Sequence, residues 1–155
     1  MRGKQSPKRE IQPDGIYNSE LVSKFTNYLM IDGKKSIAQT IVYNAIEDLQ
    51  KKTKTTGIEA FEKAIENVKP KVEVRSRRVG GSNFQVPVQV SANRQLALAS
   101  RWIIDAARNA RKNTEFWVVL SHELMNAYNK EGTAIKKKDE VQRMAEANKA
   151  FAQFA

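Results

Sequence analysis

The chain has 155 residues, 41% of them hydrophobic, and carries 27 Lys and Arg against 17 Asp and Glu, a formal charge of +10. One modest core is expected rather than disorder throughout, and no run approaches the ~18 apolar residues of a membrane span. With no cysteine and one histidine, His122, the chain alone cannot supply a disulfide, a thiolate or a multi-imidazole zinc site. The basic balance points to nucleic acid first, an acidic membrane surface second and an acidic protein third.

Residues 1–17 are polar, hold Pro7 and Pro13 and lack a hydrophobic period, which predicts an extended N-terminal arm carrying Arg2, Lys4, Lys8 and Arg9. Its opening residues lack the apolar centre of a signal peptide, so the protein is expected to stay where it is made. A first helix is expected from Asn18 or Ser19, either able to cap it, to a stop at Gly33, burying Leu21, Val22, Phe25, Tyr28 and Leu29. A second, from about Lys35 to Lys52, buries Ile37, Ile41, Ala45, Ile46 and Leu49. The linker between them is short, so they should be neighbours. After the polar break Thr53–Gly57, a third helix carries Ile58, Phe61, Ile65 and Val68 and ends at Pro70.

From Lys71 to Val90 the period becomes two residues. Val72, Val74 and Ser76 alternate with Glu73, Arg75 and Arg77, and Phe84, Val86, Val88 and Val90 alternate with polar residues and Pro87. This predicts a β-hairpin turning at Gly80-Gly81-Ser82, a two-stranded ribbon that helices must brace at its base because a lone hairpin is marginal in water. A fourth helix, which Ser91 can cap, runs to about Ala110 with Leu96, Ala99, Ile103, Ala106 and Ala110 buried. A fifth runs from about Glu115 to Lys130 on Trp117, Leu120, Leu124, Ala127 and Tyr128. The last begins near Asp139, after the loop lysines Lys136, Lys137 and Lys138, with Val141, Met144, Ala145 and Phe151 apolar. The expected fold is mainly α: a six-helix single domain over residues 18–155, one protruding β-hairpin (71–90) between the third and fourth helices, and an extended basic N-terminal arm.

On the fourth helix Arg94, Arg101 and Arg108 recur every seven residues and so share a face, since a straight helix drifts only ~20° per heptad. Arg111 and Lys112 extend the row, and Asp105, the one acid, can offset only part of it. Lys69, Lys71, Arg75, Arg77 and Arg78 face the single acid Glu73 and lead into Gly80-Gly81. Arginine forks grip phosphate and glycines let a backbone come close. Lys34-Lys35 and the lysine run Lys136–Lys138 are expected at helix N-termini, where cations oppose the dipole unless an anion is bound there. His122 reads as an edge residue of an amphipathic helix rather than a general base.

Four strings in the same order then carry a resemblance: Asp32-Gly33-Lys34-Lys35-Ser36, the stretch from Val72 to Gly81, Gln85-Val86-Pro87-Val88, and the stretch from Arg143 to Phe151. Over about Pro13 to Phe151 the chain resembles the bacterial-type small-subunit ribosomal protein seven. The resemblance implies a non-enzymatic structural protein with no cofactor and no small-molecule substrate. It implies a primary binder of small-subunit ribosomal RNA that nucleates assembly of the head domain, beside the tRNA exit site and the mRNA exit path. It places the chain in cytoplasmic ribosomes, away from membranes, next to other small-subunit proteins of head and platform. Family RNA contacts carry over to Lys34, Lys35, Arg75, Arg77, Arg78, Gly80, Gly81, Arg94, Arg101, Arg108, Lys136, Lys137 and Arg143. Charge alone adds Arg2, Lys4, Lys8, Arg9, Arg111, Lys112 and Lys138.

There are departures from the family pattern. Ser91 to Gln95 is poorer in arginine than usual, so contact there rests on Arg94 and Gln95. Residues Asn113 to Trp117 and the terminal Ala152-Gln153-Phe154-Ala155 also differ, and Asp14-Gly15 stands in place of an Asp-Pro, which is expected to loosen the approach to the first helix. A DNA-bending architectural protein with basic β-arms is the alternative binding module. An RNA-modifying enzyme would need clustered carboxylates, a second histidine or a glycine-rich loop opening a helix. A membrane-surface binder fits least, because the charge lies on loops and an arm as much as on one helix face.

Overall fold

The computed structural model describes Gly3 and residues 9–154. Helical spacing of apolar residues yields α1 (Glu20–Leu29), α2 (Lys35–Lys52), α3 (Gly57–Val68), α4 (Ala92–Ala110), α5 (Phe116–Tyr128) and α6 (Gly132–Ala147). Strands β1 (Val72–Val79) and β2 (Ser82–Gln89) lie between α3 and α4, and a short 3-10 helix, Lys149–Phe154, follows α6. That last turn was not expected as a separate element. Arg2, Lys4 and Lys8 lie outside the described residues.

Helix α5 is central, packing on α2, α3 and α4, while α1 lies against α2 and α4. Phe25 and Phe61 meet edge to face at 5.2 Å in the middle of the core, an arrangement that suits the aromatic quadrupoles. The buried stripe of α2 is Ala38, Val42, Ala45, Ile46 and Leu49. Ile37, expected inside, is 57% exposed because the stripe starts one position later. Ala110 is likewise exposed, at the open end of α4.

Two helix boundaries differ from expectation. Helix α1 stops at Leu29, and the turn is then made by Asp32 (φ 53°) and Gly33 (φ 73°). Helix α6 starts at Gly132, not near Asp139, so Lys136, Lys137 and Lys138 lie on the helix and not in a loop ahead of it. The cause is a cap from another element: the buried Glu123 of α5 accepts a 2.9 Å hydrogen bond from the Ala134 amide. Gly132 fits the corner at φ 92°, where a Cβ would lie 2.9 Å from that of Asn126. Ala134, Ile135 and Ala145 anchor α6, whereas Met144, expected on the apolar face, is 41% exposed. The expected caps Ser19 and Ser91 make no side-chain capping bond, and Thr56 with Glu59 forms an unforeseen capping box on α3.

The hairpin turns through two residues, Gly80 (φ 57°) and Gly81 (φ 90°), both left-handed as a primed turn requires. Ser82 already pairs with Val79 as strand. This register sets Glu73 opposite Val88, Arg75 opposite Val86 and Arg77 opposite Phe84. Directly opposed residues share a face, so Arg75 and Arg77 stand beside the apolar residues of β2, and Val72, Val74 and Arg78 lie on the other side. Helix α6 and the 3-10 helix cover the ribbon, with Phe84 against Phe151 (5.2 Å) and Phe154 (5.4 Å).

The expected arm is fixed to the body at its C-terminal end. Asp14 is 6% exposed, and its Oδ2 accepts from the amides of Ile16 and Tyr17, each at 3.0 Å. Its Oδ1 accepts from the Tyr43 hydroxyl of α2. The loosening expected from Gly15 therefore meets a clamp on the residue beside it.

Candidate nucleic-acid interface

The basic side chains collect on the ribbon, on α4, at the α1–α2 turn and on α6. At the ribbon base Glu73, 7% exposed, joins two of them. Arg75 Nε donates to its Oε1 at 2.6 Å and Arg94 Nε to its Oε2 at 3.2 Å, so a strand arginine and the first arginine of α4 are oriented by one carboxylate. Higher on the ribbon, Arg77 Nη1 donates to the Phe154 carbonyl at 3.1 Å. Arg78 lies on the opposite face, exposed, beside Gly80 and Gly81 at the tip.

Along α4 the heptad row is exposed as its spacing required. Arg101 lies over the ring of Tyr28 at 5.8 Å, a cation–π contact to α1, and Arg108 Nη2 donates to the Leu29 carbonyl at 3.3 Å. Asp105 joins neither arginine in an ion pair. Gln95 is half-buried. Past the helix end Arg111 Nε donates to Thr114 O at 3.4 Å, and Lys112 is exposed. Arg108 and Arg111 converge with Lys34 around a groove of about 340 Å3 that is also lined by Ile31, Ile37, Ile41 and Phe116. A second hollow, bordered by Arg9, Lys24, Tyr28 and Asn93, lies between the arm, α1 and α4.

On α6 the lysines do different things. Lys138 Nζ donates to the Asn67 carbonyl of α3 at 2.7 Å, which ties the two helices together. Lys137 pairs with Glu140 at 2.8 Å, and its hydrogen bond and charge hold that exposed carboxyl below its ordinary value. Lys136 and Arg143, seven residues apart, share a face and stay exposed. Among the described residues, Lys34, Lys35, Arg77, Arg78, Arg101, Arg108, Arg111, Lys112, Lys136 and Arg143 make no ion pair. That surface can hold phosphates without first breaking a contact to a carboxylate.

Sequence reasoning missed Glu73 as the joint between ribbon and α4, Tyr28 as the support of Arg101, and the apolar lining beside Lys34. The first depends on a hairpin register that the alternation left open. The other two depend on a packing of α1 against α4 that no local pattern encodes.

The family described as ribosomal protein S7p/S5e matches residues 1–149. The chain is 57% identical over 154 residues to the small ribosomal subunit protein uS7 of Petrotoga mobilis, covering 99% of each. It is 56% identical over 154 residues to that of Thermosipho melanesiensis and 54% over 154 residues to that of Nautilia profundicola, again with 99% of each covered.

Proposed function

Because the chain belongs to the ribosomal protein S7p/S5e family, a family of ribosomal structural proteins rather than enzymes, we propose that it binds small-subunit ribosomal RNA and nucleates folding of the head domain. In this reading it sits in cytoplasmic ribosomes beside other small-subunit proteins, near exit-site tRNA and mRNA. The observation that carries the proposal is the basic surface that starts at the ribbon tip, follows α4 and ends at the α1–α2 turn, where, among the described residues, Arg77, Arg78, Arg101, Arg108, Lys34 and Lys35 make no ion pair and Arg75 and Arg94 share the carboxylate of Glu73. Cations spread over several elements bridge phosphates of more than one RNA helix, relieve their repulsion and hold a junction in one arrangement. A-form RNA is recognised through shape and backbone, so duplex base readout is not required of them. Arg2, Lys4, Lys8 and Arg9 belong to the proposed interface as an arm that follows the RNA, and Lys138 contributes by fixing α6.

The test is binding of the purified protein to a head-domain fragment of small-subunit ribosomal RNA, to duplex DNA and to an unrelated folded RNA across a salt series. The expected result is a preference of about 10³ for the ribosomal fragment, retained as salt rises. That preference should collapse when Arg75, Arg77 and Arg78 are changed to alanine. Equal affinity for all three polyanions overturns the reading, and a preference for the DNA returns the architectural alternative.

A further inference from the structure

The groove between the α1–α2 turn and the C-terminal end of α4 combines exposed apolar side chains with surrounding cations. Ile31 and Ile37 are 58% and 57% exposed there, and Phe116 is half-buried beside them. Lys34, Arg108 and Arg111 surround the same space. Clustered apolar side chains open to water mark an interaction site, because covering them is favourable, and the cations around them suit an anionic ligand.

We infer that this groove takes one unpaired nucleotide of the bound RNA, its base against Ile31, Ile37 and Phe116 and its phosphates on Lys34, Arg108 and Arg111. The inference rests on the RNA-binding reading above. Three observations favour a nucleotide over a protein segment. The groove's volume of about 340 Å3 lies at the small end of the range for single ligands, whereas a docking helix needs a longer trough with anchors at several turns. No acidic residue lines it, which matches a polyanion. Arg108 belongs both to the groove and to the α4 row, so a strand whose backbone follows Arg94, Arg101 and Arg108 reaches the groove without leaving the basic surface. Aromatic, apolar and guanidinium surfaces are the partners that unstacked RNA bases take.

The test combines Ile31→Ser with Ile37→Ser, changes at positions more than half exposed, with the melting temperature measured alongside. The double variant is expected to bind the head-domain RNA fragment about tenfold more weakly, because apolar contact with the base is lost. The slope of log affinity against log salt should stay unchanged, since no phosphate contact is lost, and binding to a perfect RNA duplex should not change. A benzophenone photo-crosslinker placed at residue 37 should react with a single-stranded nucleotide. Unaltered affinity of the double variant, equal losses on fragment and duplex, or crosslinks confined to paired nucleotides or to another ribosomal protein each overturn the inference. If the unmodified protein does not prefer the fragment over the duplex at all, the RNA-binding reading itself has failed.

Discussion

At the scale of single residues, a carboxylate is worth what its partners make it. Burial raises the Asp14 pKa, but hydrogen bonds from the Tyr17 amide, the Tyr43 hydroxyl and the Ile16 amide outweigh it and hold the carboxyl below its ordinary 3.8. Burial and the bond to Asp14 push Tyr43 up to about 12. The signs follow. A lowered carboxyl pKa gives stability that is present above the unfolded value and lost as pH falls through the folded one. A raised phenol pKa gives stability that is complete below pH 10 and lost as pH climbs towards 12. Asp14→Ala should therefore lower stability by about 1–3 kcal/mol at neutral pH, since it leaves buried donors unpaired. In urea titrations repeated at several pH values, the difference from the unmodified protein should shrink below pH 3.8. A difference that is the same at pH values well below and well above that point would show that the charge of Asp14 is idle. The sequence displayed Asp14-Gly15 and suggested looseness, because the deciding hydroxyl is 29 residues away on α2.

At the scale of elements, the helices were legible and the joints between them were not. Apolar spacing located α2 to the residue, yet it placed the start of α6 seven residues late, because the capping acceptor is Glu123 of the preceding helix and not a local Ser, Thr or Asp. The ribbon shows the same limit. A three-residue turn at Gly80-Gly81-Ser82 would pair Val79 with Asn83 and set Val74 beside Val88, while the two-residue turn sets Glu73 there and exchanges the faces of one strand relative to the other. The apolar side so made, Phe84 and Val86, is covered by α6 and by the 3-10 helix. Phe151→Ala removes one of the two aromatic rings packed on Phe84. Amides of β2 should then exchange with solvent about tenfold faster while those of the α5 core keep their rates, because a two-stranded ribbon has little stability of its own. Unchanged exchange in β2 would mean that α6 alone braces the ribbon. The ribbon arginines bear on this directly, since Arg77 is held by a carbonyl of the same 3-10 helix.

At the scale of the whole molecule, one charge distribution acts in opposite directions on two equilibria. A net charge of +10 on a small body repels itself, and the pairs that work against it, such as Lys51 with Glu47, are solvent-exposed helix pairs worth roughly 0.3–0.5 kcal/mol each. Salt screens both, but the excess of cations makes repulsion the stronger of the two, so the free protein should become more stable as the Debye length shortens from ~30 Å at 0.01 M towards ~8 Å at 0.15 M. The complex should respond the other way. Each phosphate neutralised releases counterions, and six to ten such contacts would lower affinity by about 10³–10⁵ between 50 and 200 mM salt. The unpaired cations on the ribbon, on α4 and at the α1–α2 turn are enough for a number of contacts in that range. Melting by circular dichroism and RNA binding, measured in the same buffers, should give slopes of opposite sign. A melting temperature that falls as salt is added would show that the helix ion pairs outweigh the repulsion. The basic surface would then impose no net electrostatic strain on the free fold, and the gain from placing phosphates on it would come from their attraction and counterion release without relief of such strain.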